Sequence, residues 1–298
     1  MVPIRRSFNS GKMLNSQLGP IFQPGSNNRL QCGTKTVIVI KSMNHSVNSH
    51  MPIPFEFWVH HAIFYALLLL IHYTCGLLVI HRNVKVNYTR KVNHFAFFFL
   101  PSLLSLIIQY PHSPATFLID LICAFVFLTC FIKPLRNNFR VLAVMFRSFD
   151  RPEDRPFTLT WLYTQFIASY LVLIPLLIYF ESREMLPLVM IILIANGVGD
   201  GLAEPVGIRF GKKKYTTYAL FTQQKYVRSY LGSACVFVTT VIAILAFHPY
   251  FNATQLVVTL LVMPILITLA EAFSPHTWDS PLIYAVGGIS LMGIFHYL

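Results

Sequence analysis

Eight stretches of this chain are apolar over roughly 18 residues each, the length at which a helix begins to reach across a bilayer. They run from Phe57 to Ile80, Asn93 to Gln109, Ala115 to Ile132, Tyr163 to Phe180, Leu186 to Glu204, Tyr230 to Phe247, Gln255 to Phe273 and Leu282 to Tyr297. At about 1.5 Å per residue, helices of this size match a hydrocarbon layer of roughly 30 Å. The chain is 55% hydrophobic and 11% charged, whereas a soluble domain carries roughly 25% charged residues. The expected fold is all-α, a polytopic integral membrane protein with about seven to eight transmembrane helices. The five cysteines show no CxxC or CxxCH spacing, so neither a disulfide framework nor a cysteine zinc site is expected.

Charge divides the connections into two kinds. The first loop holds Arg82, Lys85, Arg90 and Lys91; the third holds Lys133, Arg136, Arg140, Arg147, Arg151 and Arg155; the fifth holds Arg209, Lys212, Lys213, Lys214, Lys225 and Arg228. The second, fourth and sixth loops hold only Arg183. By the positive-inside bias, the odd loops belong on the cytoplasmic side or its stromal or matrix equivalent, and the seventh loop, Ser274 to Pro281, shares that side. The net charge of +12 therefore lines membrane-flanking loops. Lipid head groups or a nucleotide phosphate suit it as partners, and nucleic acid does not. Residues 1–54 contain six basic residues and no acid; such a segment cannot bury a core, and it reads as a disordered or targeting tail before a membrane domain over 55–298.

Eleven acidic residues are few enough to weigh singly. Glu56, Asp150, Glu153, Asp154, Glu181 and Glu184 fall at span ends or in loops, where solvation accounts for them. Asp120, Asp200, Glu204, Glu271 and Asp279 fall in or beside spans, where an ionised carboxylate costs about 2.5 kcal/mol or more to insert and usually faces a polar interior. For Asp120 a structural hydrogen-bonded acid and a functional one are both open. The densest group is Asn196-Gly-Val-Gly-Asp200-Gly-Leu-Ala-Glu204-Pro-Val-Gly207-Ile-Arg209-Phe-Gly211-Lys212-Lys213-Lys214. Asn196, Asp200 and Glu204 are spaced by four, so one uninterrupted helix puts all three on one face. Paired carboxylates suit Mg²⁺, which takes one or two of them and completes its shell with water and substrate phosphates. The cations that follow suit phosphate oxygens, as in phosphoryl-transfer sites. Neither a P-loop nor a GxGxxG motif is present.

This string resembles the signature of CTP-dependent lipid-alcohol kinases, the phytol, farnesol and dolichol kinase group, which is related to phosphatidate cytidylyltransferases. Three further segments are similar to that family: Thr89-Arg90-Lys91-Val-Asn-His94, Lys225-Tyr-Val-Arg228-Ser229-Tyr-Leu-Gly-Ser, and Thr268-Leu-Ala-Glu271 through Asp279. Arg228 stands where the family usually has Lys, and Ser280 where it usually has Asn. The resemblance, covering Tyr88 to Leu298, implies an enzyme that binds CTP with Mg²⁺ and passes the γ-phosphate to a membrane lipid alcohol. It implies Asp200 and Glu204 as metal ligands and catalytic acids. Asn196, Gly207, Arg209, Gly211, Lys212, Lys213, Arg228 and Ser229 become the nucleotide-binding set, and Arg90, Lys91, His94 and Glu271 further candidates. Asp279, Asp200 and His94 all stand open as the base accepting the alcohol proton. A cytidylyltransferase and an ion-coupled transporter are the competing functions.

Overall fold

The computed structural model describes residues 53–220 and 222–298, and each of the eight apolar stretches forms a helix there. The tail expected over 1–54 lies, but for its last two residues, outside the described residues. The helices are α1 (Phe55–Arg82), α2 (Val86–Ser105), α3 (Pro114–Thr129), α4 (Lys133–Asn138), α5 (Arg140–Arg147) and α6 (Thr158–Ser182). There follow α7 (Val189–Ile194), a π-helical turn (Ala195–Asp200) running directly into α8 (Gly201–Phe210), then α9 (Tyr230–Ala246), α10 (Ala253–Phe273) and α11 (Asp279–Tyr297).

Five of these helical stretches are long and apolar enough to cross a membrane: Phe55–Arg82, Thr158–Ser182, Leu186–Phe210, Ala253–Phe273 and Asp279–Tyr297. Pro114–Thr129 and Tyr230–Ala246 are apolar but shorter. The second predicted span differs most. Its helix starts earlier, at Val86, and so carries Arg90 and Lys91 within it, and it ends at Ser105 rather than Gln109. Leu70, Leu171, Ile178, Leu261 and Ile289 are exposed on the helix flanks, an apolar exterior that lipid, not water, accommodates.

The all-helical expectation fails at one place. Residues 214–229 form an antiparallel hairpin, β1 (Lys214–Ala219) and β2 (Thr222–Ser229), with Lys214 opposite Ser229 and Tyr215 opposite Arg228. Tyr, Thr and Val dominate its strands, residues that favour extended backbone, but its basic residues had drawn the segment into the charged-loop class. Its inner side is fixed by Trp161, Ala219 and Tyr226, which bury together.

Three apolar cores hold the bundle. The larger joins α6, α7, α9, α10 and α11 around Ile191, Ile192, Val236, Ile244, Met263, Ile267, Ile283 and Leu291. A smaller one joins α1 to α2 through Phe64, Leu68 and Ala96. Beside it Phe131, Met145, Phe146 and Phe149 seat α5 on α1, with Tyr73 packed against them. Asp120 pairs with His61 of α1, whose Nδ1 is bound to the Phe57 carbonyl at 2.7 Å.

Candidate functional site

The first, third, fifth and seventh loops, assigned to one side by charge, meet around a single cavity of about 570 Å³. Its lining includes Lys85, Arg90 and Lys91 from the first loop and α2, Arg151 from the third loop, Lys214, Lys225, Arg228 and Ser229 from the hairpin, and His276, Thr277 and Asp279 from the seventh loop. Asp200, Glu204 and Gly207 enter from α8 and the turn before it, and Glu271 from α10.

A π turn precedes α8. Such a turn bonds i to i+5; Asn196 and Asp200 lie within it and Glu204 in the first turn of α8, and the three meet different partners. Asn196 turns to α11, donating to the Tyr284 hydroxyl at 2.9 Å. Asp200 and Glu204 face α2. The carbonyls of the turn are held from α2 as well: Lys91 Nζ donates to the Asp200 carbonyl at 2.9 Å and to Oδ2 at 3.0 Å, and His94 Nε2 lies 3.0 Å from the Gly197 carbonyl. His94 thereby serves the helix end and is absent from the cavity lining.

Glu204 is fully engaged. Its Oε1 accepts from Asn87 at 2.8 Å and Arg151 at 2.9 Å, and its Oε2 from Arg90 at 3.2 Å. Asp200 differs: Lys91 takes Oδ2, and Oδ1 accepts no hydrogen bond from the described side chains. Arg228 is the second hub. Its Nη1 donates to Glu271 Oε1 at 2.6 Å and also to the Glu271 carbonyl, its Nη2 donates to Ser274 Oγ at 3.0 Å, and Asp279 Oδ2 lies 3.8 Å from Nη2. A guanidinium fork, with two Nη groups set apart in one rigid plane, can bridge the end of α10 and the start of α11 in this way. Burial opposes the Arg228 charge, but Asp279 and Glu271 outweigh it and hold its pKa above the ordinary value. Asp279 also receives Gln165 Nε2 at 3.4 Å, and that same amide donates to Ser280 Oγ at 3.0 Å.

Not every predicted residue reaches the cavity. Arg209, Lys212 and Lys213 are exposed and absent from its lining, while Lys214 and Lys225 replace them. Gly207 and Gly211 lie against Ser229, where a Cβ on either glycine would run into the serine hydroxyl. Ser229 itself caps α9, accepting from the Gly232 amide at 3.0 Å.

Asp154, expected to be a solvated loop acid, is 2% exposed; so too Asp150 is buried, bound by Thr158 at 2.8 Å and Arg155 at 2.7 Å. The third loop folds inward because Thr89 and Asn93 of α2 bind Ser148, at 2.6 Å each. Arg151 then spans Asp154 at 2.7 Å, Glu204 at 2.9 Å and His276 Nε2 at 2.8 Å. Burial raises and His276 and Arg151 lower the Asp154 pKa, and the net shift is downward. Burial likewise pushes His276 down to about 4 against the pull of Asp154. The His276 ring stacks on Tyr226 at 3.6 Å between centroids, and burial lifts that phenol to about 12. Asn87, Arg151, Gln165 and His276 are the residues sequence reading missed. Gln165 left a signal, a lone carboxamide in an apolar run; Arg151 was indistinguishable from its basic neighbours.

Among the described residues no three His, Cys, Asp or Glu side chains form a metal cage. Mg²⁺ needs fewer, since substrate and water supply the remaining oxygens, and the free Oδ1 of Asp200 beside Asp279 is a donor set of the right chemistry. Glu204, with both oxygens held by cations and an amide, is placed to organise Arg90 and Arg151 instead. Comparison with protein-family models, curated proteins and solved structures finds no significant match to this chain.

Proposed function

We propose that this protein is a CTP-dependent kinase transferring the γ-phosphate to the hydroxyl of a membrane lipid alcohol, of the isoprenoid class such as phytol, farnesol or a polyprenol. One observation carries the reading: five carboxylates, Glu153, Asp200, Glu204, Glu271 and Asp279, share a cavity with cations drawn from three separate loops, beside a set of apolar helices. A triphosphate demands such a balance, cations for its oxygens and carboxylates for its metal. The resemblance to lipid-alcohol kinases supplies the nucleotide and the acceptor.

In this reading the bundle has eight spans, with α2, α3 and α9 among them, and the cavity opens on the cytoplasmic side or its stromal or matrix equivalent. Asp200 and Asp279 would hold Mg²⁺, which would supply charge neutralisation for the phosphates. Arg228, Arg151 and Lys91 bind phosphate oxygens. Glu204 keeps Arg90 and Arg151 extended toward the cavity, and Gln165 steadies Asp279 from α6. Asp279 accepts the proton of the attacking hydroxyl, a small demand because phosphoryl transfer passes through a loose transition state.

Purified protein incubated with γ-labelled CTP, Mg²⁺ and a panel of isoprenoid alcohols tests the proposal. Label in the lipid supports it. Label released as pyrophosphate with phosphatidate as acceptor indicates a cytidylyltransferase, and absence of any CTP turnover returns the intramembrane acids to an ion-coupled transporter.

A further inference from the structure

Between Asp120 and Asp150 the chain carries four cations, Lys133, Arg136, Arg140 and Arg147, and no acid. Both flanking carboxylates are taken, Asp120 by His61 and Asp150 by Arg155 and Thr158. None of the four cations makes an ion pair among the described residues. All four belong to α4 and α5.

These two helices sit where the apolar exterior stops. Phe131, just past α3, and Phe149, just past α5, both pack on His72 of α1, at 6.1 and 5.9 Å between ring centroids. The chain thus leaves the bundle and returns to it at one level, the level at which apolar α3 ends and charge begins. α5 is two-sided. Met145 and Phe146 are buried with Phe131 and Phe149, whereas Arg140 and Arg147, seven residues apart and so on one face, are exposed, as are Phe139 and Val141 beside them. A basic face edged with apolar side chains suits a helix lying in the head-group layer, its cations at the lipid phosphates and its apolar groups at the first methylenes.

Arg136 adds a fixed element to that face. Its Cζ lies 3.6 Å from the centroid of the Phe146 ring, and that ring is itself packed edge-on to Phe149 at 5.0 Å. Stacking holds the planar guanidinium in one orientation without engaging a carboxylate. The Nε is covered, which leaves the Nη groups for a ligand, and a guanidinium matches phosphate oxygens well. Burial lowers the Arg136 pKa from its ordinary value and Asp150 offsets only part of that, so an anion beside the fork acts in the restoring direction. We infer that the outer face of α4 and α5 binds the head group of an anionic phospholipid, with Arg136, Arg140 and Arg147 as its cations and Phe139 and Val141 as its apolar edge. This site stands apart from the kinase reading, since it needs apolar helices in a bilayer and no nucleotide.

The test titrates the full chain in a neutral detergent with phosphatidylglycerol and, separately, with phosphatidylcholine, and counts bound lipid by native mass spectrometry. Phosphatidylglycerol should bind about tenfold more tightly or better, because each cation near an anionic head group is worth about fivefold. Joint Arg140→Gln and Arg147→Gln should weaken phosphatidylglycerol by about fivefold or more and leave phosphatidylcholine unchanged. Both side chains are exposed, so the thermal midpoint without lipid should stay within about 2 °C of the parent. Arg136→Lys keeps the charge, loses the stacked fork, and should weaken phosphatidylglycerol about two- to fivefold. Joint Lys212→Ala and Lys213→Ala, which removes exposed cations elsewhere, should change it less than about twofold. Equal retention of the two lipids overturns the site and leaves this face to water or to an acidic protein. Phosphatidylglycerol binding untouched by the Arg140 and Arg147 pair or by Arg136→Lys, or lost equally with the Lys212 and Lys213 pair, overturns it as well.

Discussion

Replacing Arg151 with Leu removes the charge that three buried groups share. The guanidinium is 2.7 Å from Asp154, 2.9 Å from Glu204 and 2.8 Å from His276, and the Arg151 and Asp154 side chains are 6% and 3% exposed, so solvent screens little. Glu204 retains Arg90 and Asn87; Asp154 is left with His276 alone. Removing one partner of a buried pair costs about 3 to 5 kcal/mol. At about 2 to 4 °C per kcal/mol for a chain of this size class, the thermal midpoint should fall by roughly 6 to 20 °C. The buried thiol of Cys75 provides the assay, through a maleimide dye that fluoresces when heating exposes it. Arg151→Leu combined with Asp154→Leu should recover at least half of the loss, because the stranded carboxylate has gone. A single substitution within about 2 °C of the parent, or a double one worse than the single, would refute the reasoning.

Gly76→Ala places a methyl against the Val144 carbonyl of α5, and overpacking of this kind should destabilise by about 1 to 3 kcal/mol, read by the same dye. Because His276 is held neutral with its pKa at about 4, the unfolded chain binds the extra proton between there and its ordinary value of 6.5. Stability should therefore fall by about 2 kcal/mol from pH 7 to pH 5, and His276→Gln should flatten that slope; a parent whose midpoint is level over this window would contradict it. Asp200→Asn should abolish lipid phosphorylation while the protein still inserts and melts cooperatively, and retained turnover would remove Asp200 from the site. Joint replacement of the exposed Lys212 and Lys213 by Ala should change the KM for CTP less than about twofold, whereas Arg228→Lys should raise it about tenfold as the guanidinium bridge is lost.

Hydropathy located the eight long apolar helical stretches, since a run that long in this composition has no other stable use, but not the short helices α4 and α5, which it read as a basic loop. What periodicity could not register was the partner of each polar residue. Asn196, Asp200 and Glu204 keep a spacing of four in the sequence, which says nothing of the partners they meet: Asn196 binds Tyr284 and Asp200 binds Lys91 at a π turn. Charge counting brought the right loops together, yet inside those loops it could not rank the cations: Arg151 sits at the centre of a buried network and Arg209 lies exposed. The difference is tertiary. Thr89 and Asn93 draw the third loop in by way of Ser148, a contact between segments about 55 to 59 residues apart in the chain that no local pattern announces.

The cavity walls run from Lys85 near the first helix to Asp279 at the start of the last. A chain still emerging from the ribosome thus holds an incomplete pocket until α11 has packed against α10 and α6, and the acid that opens that final helix is also the last piece of the cavity wall. Synthesis halted before α11 leaves Arg228 without Asp279, and a partly made molecule lacks one wall of the cavity.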